Sequence, residues 1–379
     1  MVLGYLKNKF NMKIAVDARI LSESVTGIGR YTYEVLERLV CSEHEWYLYS
    51  HRPIQVGQWD RSNITLRTFN FKGRLTRMIW AQTVLPYLAA NDSVDLFWSP
   101  AHRIPFFLPS KIKTVVTIHD LVWRHAGKSM RKSSRLLDSF MMPYAIKRSD
   151  RVISVSSATT LDLIHEYPEL ANKISTIALG SNYNKISYDA EINHVKINKK
   201  KYILFVGTLE PRKNLENLIK AFSKVINRLS IDISLVVVGG KGWGGVDPSE
   251  LARKYCIEEK VIILGYVSDE HLCYLYKYAI FLAMPSFYEG FGLPIIEAMS
   301  LGTPVLTSNC SSMPQIAGNA AVLVNPHDVA SIGDGIIKML TNSSLLENLS
   351  KNAIENSKKY SWDTAFTNTL NIFENIKNK

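Results

Sequence analysis

Short apolar runs recur along this chain at the spacing of a parallel sheet, and the rhythm occurs twice. Residues 13–17 (KIAVD), 94–98 (VDLFW), 114–118 (TVVTI) and 151–155 (RVISV) are separated by longer helical patterns. A strand covered on both faces has no solvent side and therefore reads as a nearly continuous apolar run. After the first run, Ile28, Tyr31, Val35, Leu36 and Leu39 fall at helical spacing, which predicts an amphipathic helix packed on the sheet. The rhythm restarts at residues 202–207 (YILFVG), 234–239 (SLVVVG), 261–264 (VIIL) and 280–284 (IFLAM). Between the halves, residues 187–201 are polar, rich in Lys and Asn, and read as a linker. The expected fold class is therefore α/β, with two doubly wound Rossmann-like domains over residues 1–190 and 191–359. Tyr360, Trp362, Phe366, Leu370 and Phe373 add a terminal helix at about residues 360–379. Open α/β sheets collect ligands at the carboxyl ends of their strands, so two such domains facing each other are expected to enclose a central cleft.

At 379 residues the chain suits two domains, each with its own core. The net charge of +11 implies an acidic partner: nucleic acid, an anionic membrane surface or a phosphorylated substrate. Charge alone does not choose among them. The basic residues are spread out, no helix-turn-helix or RNA-binding signature is present, and nucleic acid is not expected as a partner. Cys41, Cys256, Cys273 and Cys310 lie far apart, which argues against a zinc site or a disulfide framework and favours a reducing cytoplasm. No apolar run reaches the roughly 18 residues that a membrane span needs. Residues 1–11 lack the apolar core of a signal peptide and precede a second methionine, Met12, so they are expected to be dispensable.

The motifs that carry chemistry follow the strands. Glu289 and Glu297 flank a turn containing Gly290 and Gly292, and Pro294 suits the first turn of a helix beginning there. A helix start attracts anions, and two acids about two turns of sequence apart suit the hydroxyls of a sugar or ribose. Arg212 and Lys213 follow the strand ending at Gly207, and adjacent cations there suit a diphosphate. In the first half, Gly27 and Gly29 lie between a strand and a helix, where amides can approach phosphates. His119, followed by Asp120, ends an apolar strand. Gly240, Gly242 and Gly245 satisfy the dinucleotide fingerprint, yet a polar loop with Asp247 and Pro248 follows instead of a helix.

Glu289 and Glu297, separated by seven residues, resemble the paired-glutamate motif of retaining glycosyltransferases in glycosyltransferase family 4. Residues 302–306 (GTPVL), 311–315 (SSMPQ) and 320–326 (AAVLVNP) are similar to that family's continuation, and the likeness extends from Lys13 to about Trp362. It is nearest to the bacterial mannosyltransferases of O-antigen chains. The resemblance implies a GT-B architecture with the terminal helix crossing back onto the first domain. It also implies that the second domain holds a nucleotide-sugar donor and the first much of a glycan acceptor.

By the same resemblance, His119, Glu289, Arg212 and Lys213 are the catalytic set. Gly27, Gly29, Gly207, Arg212, Lys213, Tyr266, Val267, Glu289, Phe291, Gly292, Leu293 and Glu297 bind the donor. The expected reaction moves mannose from GDP-mannose, with retention, to a hydroxyl of a growing lipid-linked O-antigen or related surface polysaccharide. No cofactor is expected. No Asp-x-Asp pair occurs, so metal independence is expected, with the cations and helix N-termini neutralising the diphosphate. Lys72, Arg74 and Arg77 before Met78-Ile79-Trp80 suggest peripheral contact with the cytoplasmic face of the inner membrane. Other donors (fucose, rhamnose, glucose or galactose), a non-catalytic nucleotide-sugar or glycan binder, and a nicotinamide dehydrogenase using the Gly240 loop are the alternatives.

Overall fold

The computed structural model describes residues 12–22, 27–54, 59, 62–127, 130–186 and 201–377. The short N-terminal extension and most of the expected linker lie outside the described residues. The chain divides into two compact units: Met1–Asp120 with Leu136–Leu179 and Trp362–Lys379, and Leu121–Arg135 with Gly180–Ser361. Residues 121–135, read from the sequence as part of the first half, group with the second unit.

The first unit is built on seven parallel strands: β1 (Lys13–Asp17), β2 (Glu45–Ser50), β3 (Ile64–Thr68), β4 (Leu96–Ser99), β5 (Lys113–Ile118), β6 (Arg151–Ser154) and β7 (Ile174–Thr176). Their order is β3-β2-β1-β4-β5-β6-β7, so the winding reverses between β1 and β4. Register places Val16 of β1 opposite Leu48 of β2 and Trp98 of β4, all fully buried. Helix Gly27–Leu39 turns Tyr31, Val35, Leu36 and Leu39 inward, as its spacing requires. The terminal helix Trp362–Lys377 belongs to this unit and buries Trp362, Ala365, Thr369, Phe373 and Ile376. Phe373 lies 5.6 Å from the Trp98 ring and 6.4 Å from the Trp46 ring. Each such side chain, fully buried, contributes roughly 1.5–3 kcal/mol relative to exposure.

The second unit has six parallel strands: β8 (Tyr202–Val206), β9 (Ser234–Val238), β10 (Val261–Gly265), β11 (Phe281–Met284), β12 (Val305–Ser308) and β13 (Ala321–Val324). Their order is β10-β9-β8-β11-β12-β13, and the winding reverses between β8 and β11. Helix Leu215–Leu229 covers one face with Leu215, Leu218, Ile219, Phe222, Val225 and Ile226, at the three-and-four spacing of a core-facing stripe. No described helix is long and apolar enough to cross a membrane.

Candidate functional site

Most of the residues expected to bind the donor lie at the carboxyl edge of the second sheet, whereas Gly27 and Gly29 belong to the first unit. Arg212 and Lys213 follow β8 and Glu289 follows β11, the neighbouring strands at which the winding reverses. That reversal splays the two connecting loops to opposite faces and leaves a crevice, the usual ligand position of an open α/β sheet.

Glu289 is 6% exposed and joins both cations. The Arg212 guanidinium donates to Oε2 and the Lys213 ammonium to Oε1, each at 2.7 Å. Arg212 also donates to the Tyr288 carbonyl at 2.7 Å and lies 3.5 Å from Glu210 Oε2. Burial alone would raise the Glu289 pKa, but the charges of Arg212 and Lys213 outweigh it and lower the value to about 2. The acid is therefore ionised at neutral pH, and it cannot serve as a proton donor.

Backbone bonds fix this geometry. The Phe287 amide donates to the Arg212 carbonyl at 2.9 Å, tying the two loops together. The Ser312 hydroxyl lies between the carbonyls of Glu289 at 2.8 Å and Phe291 at 2.9 Å and shares its single proton with them. Asn214, left-handed at φ 60, donates from Nδ2 to the carbonyls of Pro285 and Pro326, each at 2.8 Å. Sequence reading missed Ser312, Asn214 and Glu210 as parts of the site. The signal was the place of Glu210 and Asn214 beside Arg212 and Lys213, and of Ser312 within the 311–315 segment.

Gly292 adopts φ 100 and caps helix Leu293–Ser300, a conformation that favours glycine. The amides of Phe291, Gly292 and Leu293 open this helix, where N–H groups have no intrahelical acceptor. The two aromatics around Glu289 are packing residues. Phe291 is buried edge-on against Tyr360 at 5.8 Å, and buried Tyr288 stacks on His125 at 5.8 Å. Only the Phe291 backbone is thus available to a ligand.

Glu297 lies within the same helix, is 5% exposed, and accepts a 2.8 Å hydrogen bond from Tyr276. The Tyr276 ring meets Tyr183 edge-on at 5.6 Å, and Tyr183 donates to Asp269. Tyr276 is one of three alternating tyrosines at 274, 276 and 278, and nothing in the sequence says which one turns inward.

Gly207, Tyr266 and Val267 follow β8 and β10 on the same edge of the sheet, with Tyr266 exposed. Of the dinucleotide-like glycines, only Gly242 has a packing explanation, which it shares with the preceding Gly239; Gly240 and Gly245 have open space where a Cβ would go. A Cβ on Gly239 would lie 1.9 Å from the Gly207 carbonyl oxygen, and one on Gly242 would lie 2.4 Å from that of Leu209. The loop lies against the 207–211 segment that leads into Arg212.

In the first unit, Gly27 and Gly29 stand inside the first turn of helix Gly27–Leu39 and not in a preceding loop. Thr26, expected beside them, lies outside the described residues. His119 follows β5 and is 7% exposed. Its Nε2 is 2.8 Å from the Pro100 carbonyl, which can only accept, so the proton sits on Nε2 and Nδ1 is the acceptor. The His119 amide donates to His102 Nε2 at 2.9 Å, and Tyr31 packs edge-on at 4.8 Å. Burial, helped by His102 and opposed by the Pro100 bond, lowers the His119 pKa to about 3. The ring is neutral, with its one N–H already engaged.

Two family profiles cover the chain in tandem: Glycosyltransferase Family 4 over residues 25–184 and Glycosyl transferases group 1 over residues 188–356. The O-antigen chain mannosyltransferase B of Escherichia coli is 30% identical over 96% of this chain and 100% of its own length. The O-antigen chain mannosyltransferase RfbU of Salmonella typhimurium is 30% identical over 82% of this chain and 86% of its own. Sucrose-phosphate synthase from Thermosynechococcus elongatus shares the fold with a TM-score of 0.76, covering 97% of this chain and 99% of that one at 19% identity. Two parallel-sheet Rossmann-like units with these neighbours define a GT-B fold. The chain belongs to the family 4 glycosyltransferases, and its likeness to O-antigen mannosyltransferases spans most of its length.

Proposed function

We propose that this chain is a retaining, metal-independent mannosyltransferase that uses GDP-mannose to extend a lipid-linked O-antigen or related surface polysaccharide. The supporting observation is the buried Arg212–Lys213–Glu289 cluster at the winding reversal of the second sheet. The mannosyltransferase names of its relatives supply the sugar. Arg212 and Lys213 stabilise the leaving diphosphate, Glu297 holds the ribose, and Gly207, Tyr266 and Val267 line the nucleotide. Glu289 and the amides of Phe291, Gly292 and Leu293 hold the sugar. Gly27 and Gly29 approach the phosphates, and His119 orients the transferred ring through Nδ1.

The bond from the anomeric carbon to the diphosphate oxygen breaks as the acceptor hydroxyl oxygen attacks the same face. The acceptor proton passes to a donor phosphate oxygen, and GDP leaves. Neither glutamate forms a covalent glycosyl intermediate, and the ionised Glu289 differs in role from a glycosidase acid. Two cations beside the leaving group supply the charge stabilisation that a divalent metal gives elsewhere. The enzyme works at the cytoplasmic face of the inner membrane, where lipid-linked acceptors are extended.

The test is transfer of labelled mannose from GDP-mannose to extracted lipid-linked glycans in excess EDTA, with the anomeric configuration of the product read by NMR. An α-linked product formed in chelator supports the proposal. A β-linked product would remove retention, and activity restored only by manganese would remove metal independence. Transfer from another nucleotide sugar alone would change the donor.

A further inference from the structure

Glu289 is held by two cations, and Glu297 by a tyrosine. A glutamate carboxylate turns broadly about its last side-chain bond, so one well-directed hydrogen bond decides where its oxygens face. Tyr276, on helix Asp269–Tyr278, supplies that bond to Oε2 at 2.8 Å. Its direction depends on how the Tyr276 ring is set. The Thr303 hydroxyl donates to the Tyr276 carbonyl at 2.7 Å and fixes the backbone. The ring is fixed by Tyr183, whose own ring meets it at 86° with centroids 5.6 Å apart, a favourable edge-to-face pair.

Tyr183 is fastened to the same helix at both ends. Its hydroxyl donates to Asp269 Oδ1 at 3.1 Å, in the first turn, and its carbonyl accepts from Cys273 Sγ at 3.5 Å, one turn further on. A second path runs through the main chain. The Tyr183 amide donates to Ser181 Oγ at 3.3 Å, the Ser181 and Ser300 hydroxyls are 3.4 Å apart, and Ser300 donates to the Glu297 carbonyl at 2.8 Å. With the Ser300 proton engaged there, Ser181 donates to Ser300. Residues 181–183 thus reach both the side chain and the main chain of Glu297. They stand where the chain enters the second unit at Gly180 and belong to none of its strands. Phenylalanine would fill the buried position of Tyr183 equally well, whereas the hydroxyl bonded to Asp269 gives the ring a fixed place.

We propose that Tyr183 is a positioning residue for Glu297: through Tyr276 it holds the carboxylate in the rotation that receives the ribose hydroxyls of a nucleoside diphosphate. This rests on the reading above that Glu297 holds the ribose. The experiment is calorimetric titration of the full chain with GDP and with 2′,3′-dideoxy-GDP. It compares the wild type with Tyr183→Leu, Tyr183→Phe, Tyr276→Phe, Tyr183→Leu/Tyr276→Phe and Glu297→Ala, and donor kinetics are measured in parallel.

The wild type should bind GDP roughly tenfold or more tighter than the dideoxy nucleotide, a preference that Glu297→Ala loses. Tyr183→Leu should shrink the preference about threefold or more by weakening GDP alone, with the dideoxy affinity unchanged. It should add nothing in the Tyr276→Phe background, and it should raise the donor KM with kcat retained. Tyr183→Phe, which fills the same space and lacks only the bond to Asp269, should shrink the preference about twofold, and it decides the matter if the leucine variant does not fold. An undiminished preference in the Tyr183 variants would overturn the positioning role and leave Glu297 on the ribose. Equal weakening of both nucleotides would make Tyr183 a packing residue and overturn it as well. A preference absent from the wild type, or kept by Glu297→Ala, would remove the ribose reading and the proposal with it.

Discussion

The carboxyl edges of the two sheets are built alike and equipped differently. In the second unit the edge carries buried Glu289 and Lys213 with half-buried Arg212, each cation bonded to Glu289 at 2.7 Å. In the first unit the corresponding edge carries two imidazoles, His102 and His119, whose pKa values burial drives down and whose ring hydrogen bonds run to backbone groups, the His119 amide and the Pro100 carbonyl. One edge holds a charged cluster with one more cation than acid, and the other presents neutral imidazoles. The same strand topology therefore specifies where a site forms, while the residues after each strand decide its electrostatics.

The largest expected effect comes from breaking the charge cluster. Glu289→Ala leaves two cations buried without their shared acid and should cost roughly 3–5 kcal/mol in urea unfolding. Added GDP should restore part of the loss if the cations take its diphosphate, and no recovery would count against that assignment. Lys213→Ala leaves Glu289 paired with Arg212, so folding should suffer less while turnover falls about 10²–10³-fold. Wild-type turnover in the folded variant would remove Lys213 from the diphosphate site.

The pH windows separate the two edges. His119 is lowered to about 3 from 6.5, so the unfolded chain takes up this proton first. The contribution of the neutral buried ring is complete above about 6.5 and declines as pH falls from there toward 3. It should cost about 2 kcal/mol between pH 7 and pH 5, a slope that His119→Asn flattens. Glu289, lowered to about 2 from 4.5, contributes fully above 4.5 and loses that contribution as pH falls from 4.5 toward 2. Equal slopes above pH 5 in wild type and His119→Asn would contradict the neutral-imidazole assignment. The smallest effect is expected at Tyr276→Phe, which removes one hydrogen bond to Glu297 and about 1 kcal/mol. Donor KM should rise severalfold with kcat retained, whereas an unchanged KM would separate Glu297 from donor binding.

Much of the fold was legible because buried parallel strands are apolar throughout. Residues 202–206 and 234–238 are fully buried, and their runs are unbroken. β3 and β7 escaped notice because they lie at the sheet edges and are only partly buried. β2 mixes aromatic with polar residues, and its glutamate and serine hide a buried centre. At the site, Glu289, Glu297, Arg212 and Lys213 stood out by type and spacing. Their pairing did not: the contact between Glu289 and both cations joins residues 76 or 77 positions apart. Tyr276 was equally hidden, because facing direction in a short helix depends on its packing partners. The packing of Phe291 on Tyr360 and of Tyr288 on His125, which anchors the loop, was likewise hidden.

The most direct measurement is thermal unfolding of the wild type and of folded Lys213→Ala with GDP-, UDP- and dTDP-linked sugars, because a ligand bound to the native state raises its melting temperature. The expected result is stabilisation of the wild type by GDP and GDP-mannose and little or none of the variant. Equal stabilisation of both proteins, or no response of the wild type to any nucleotide sugar, would contradict the donor site assigned to the second unit.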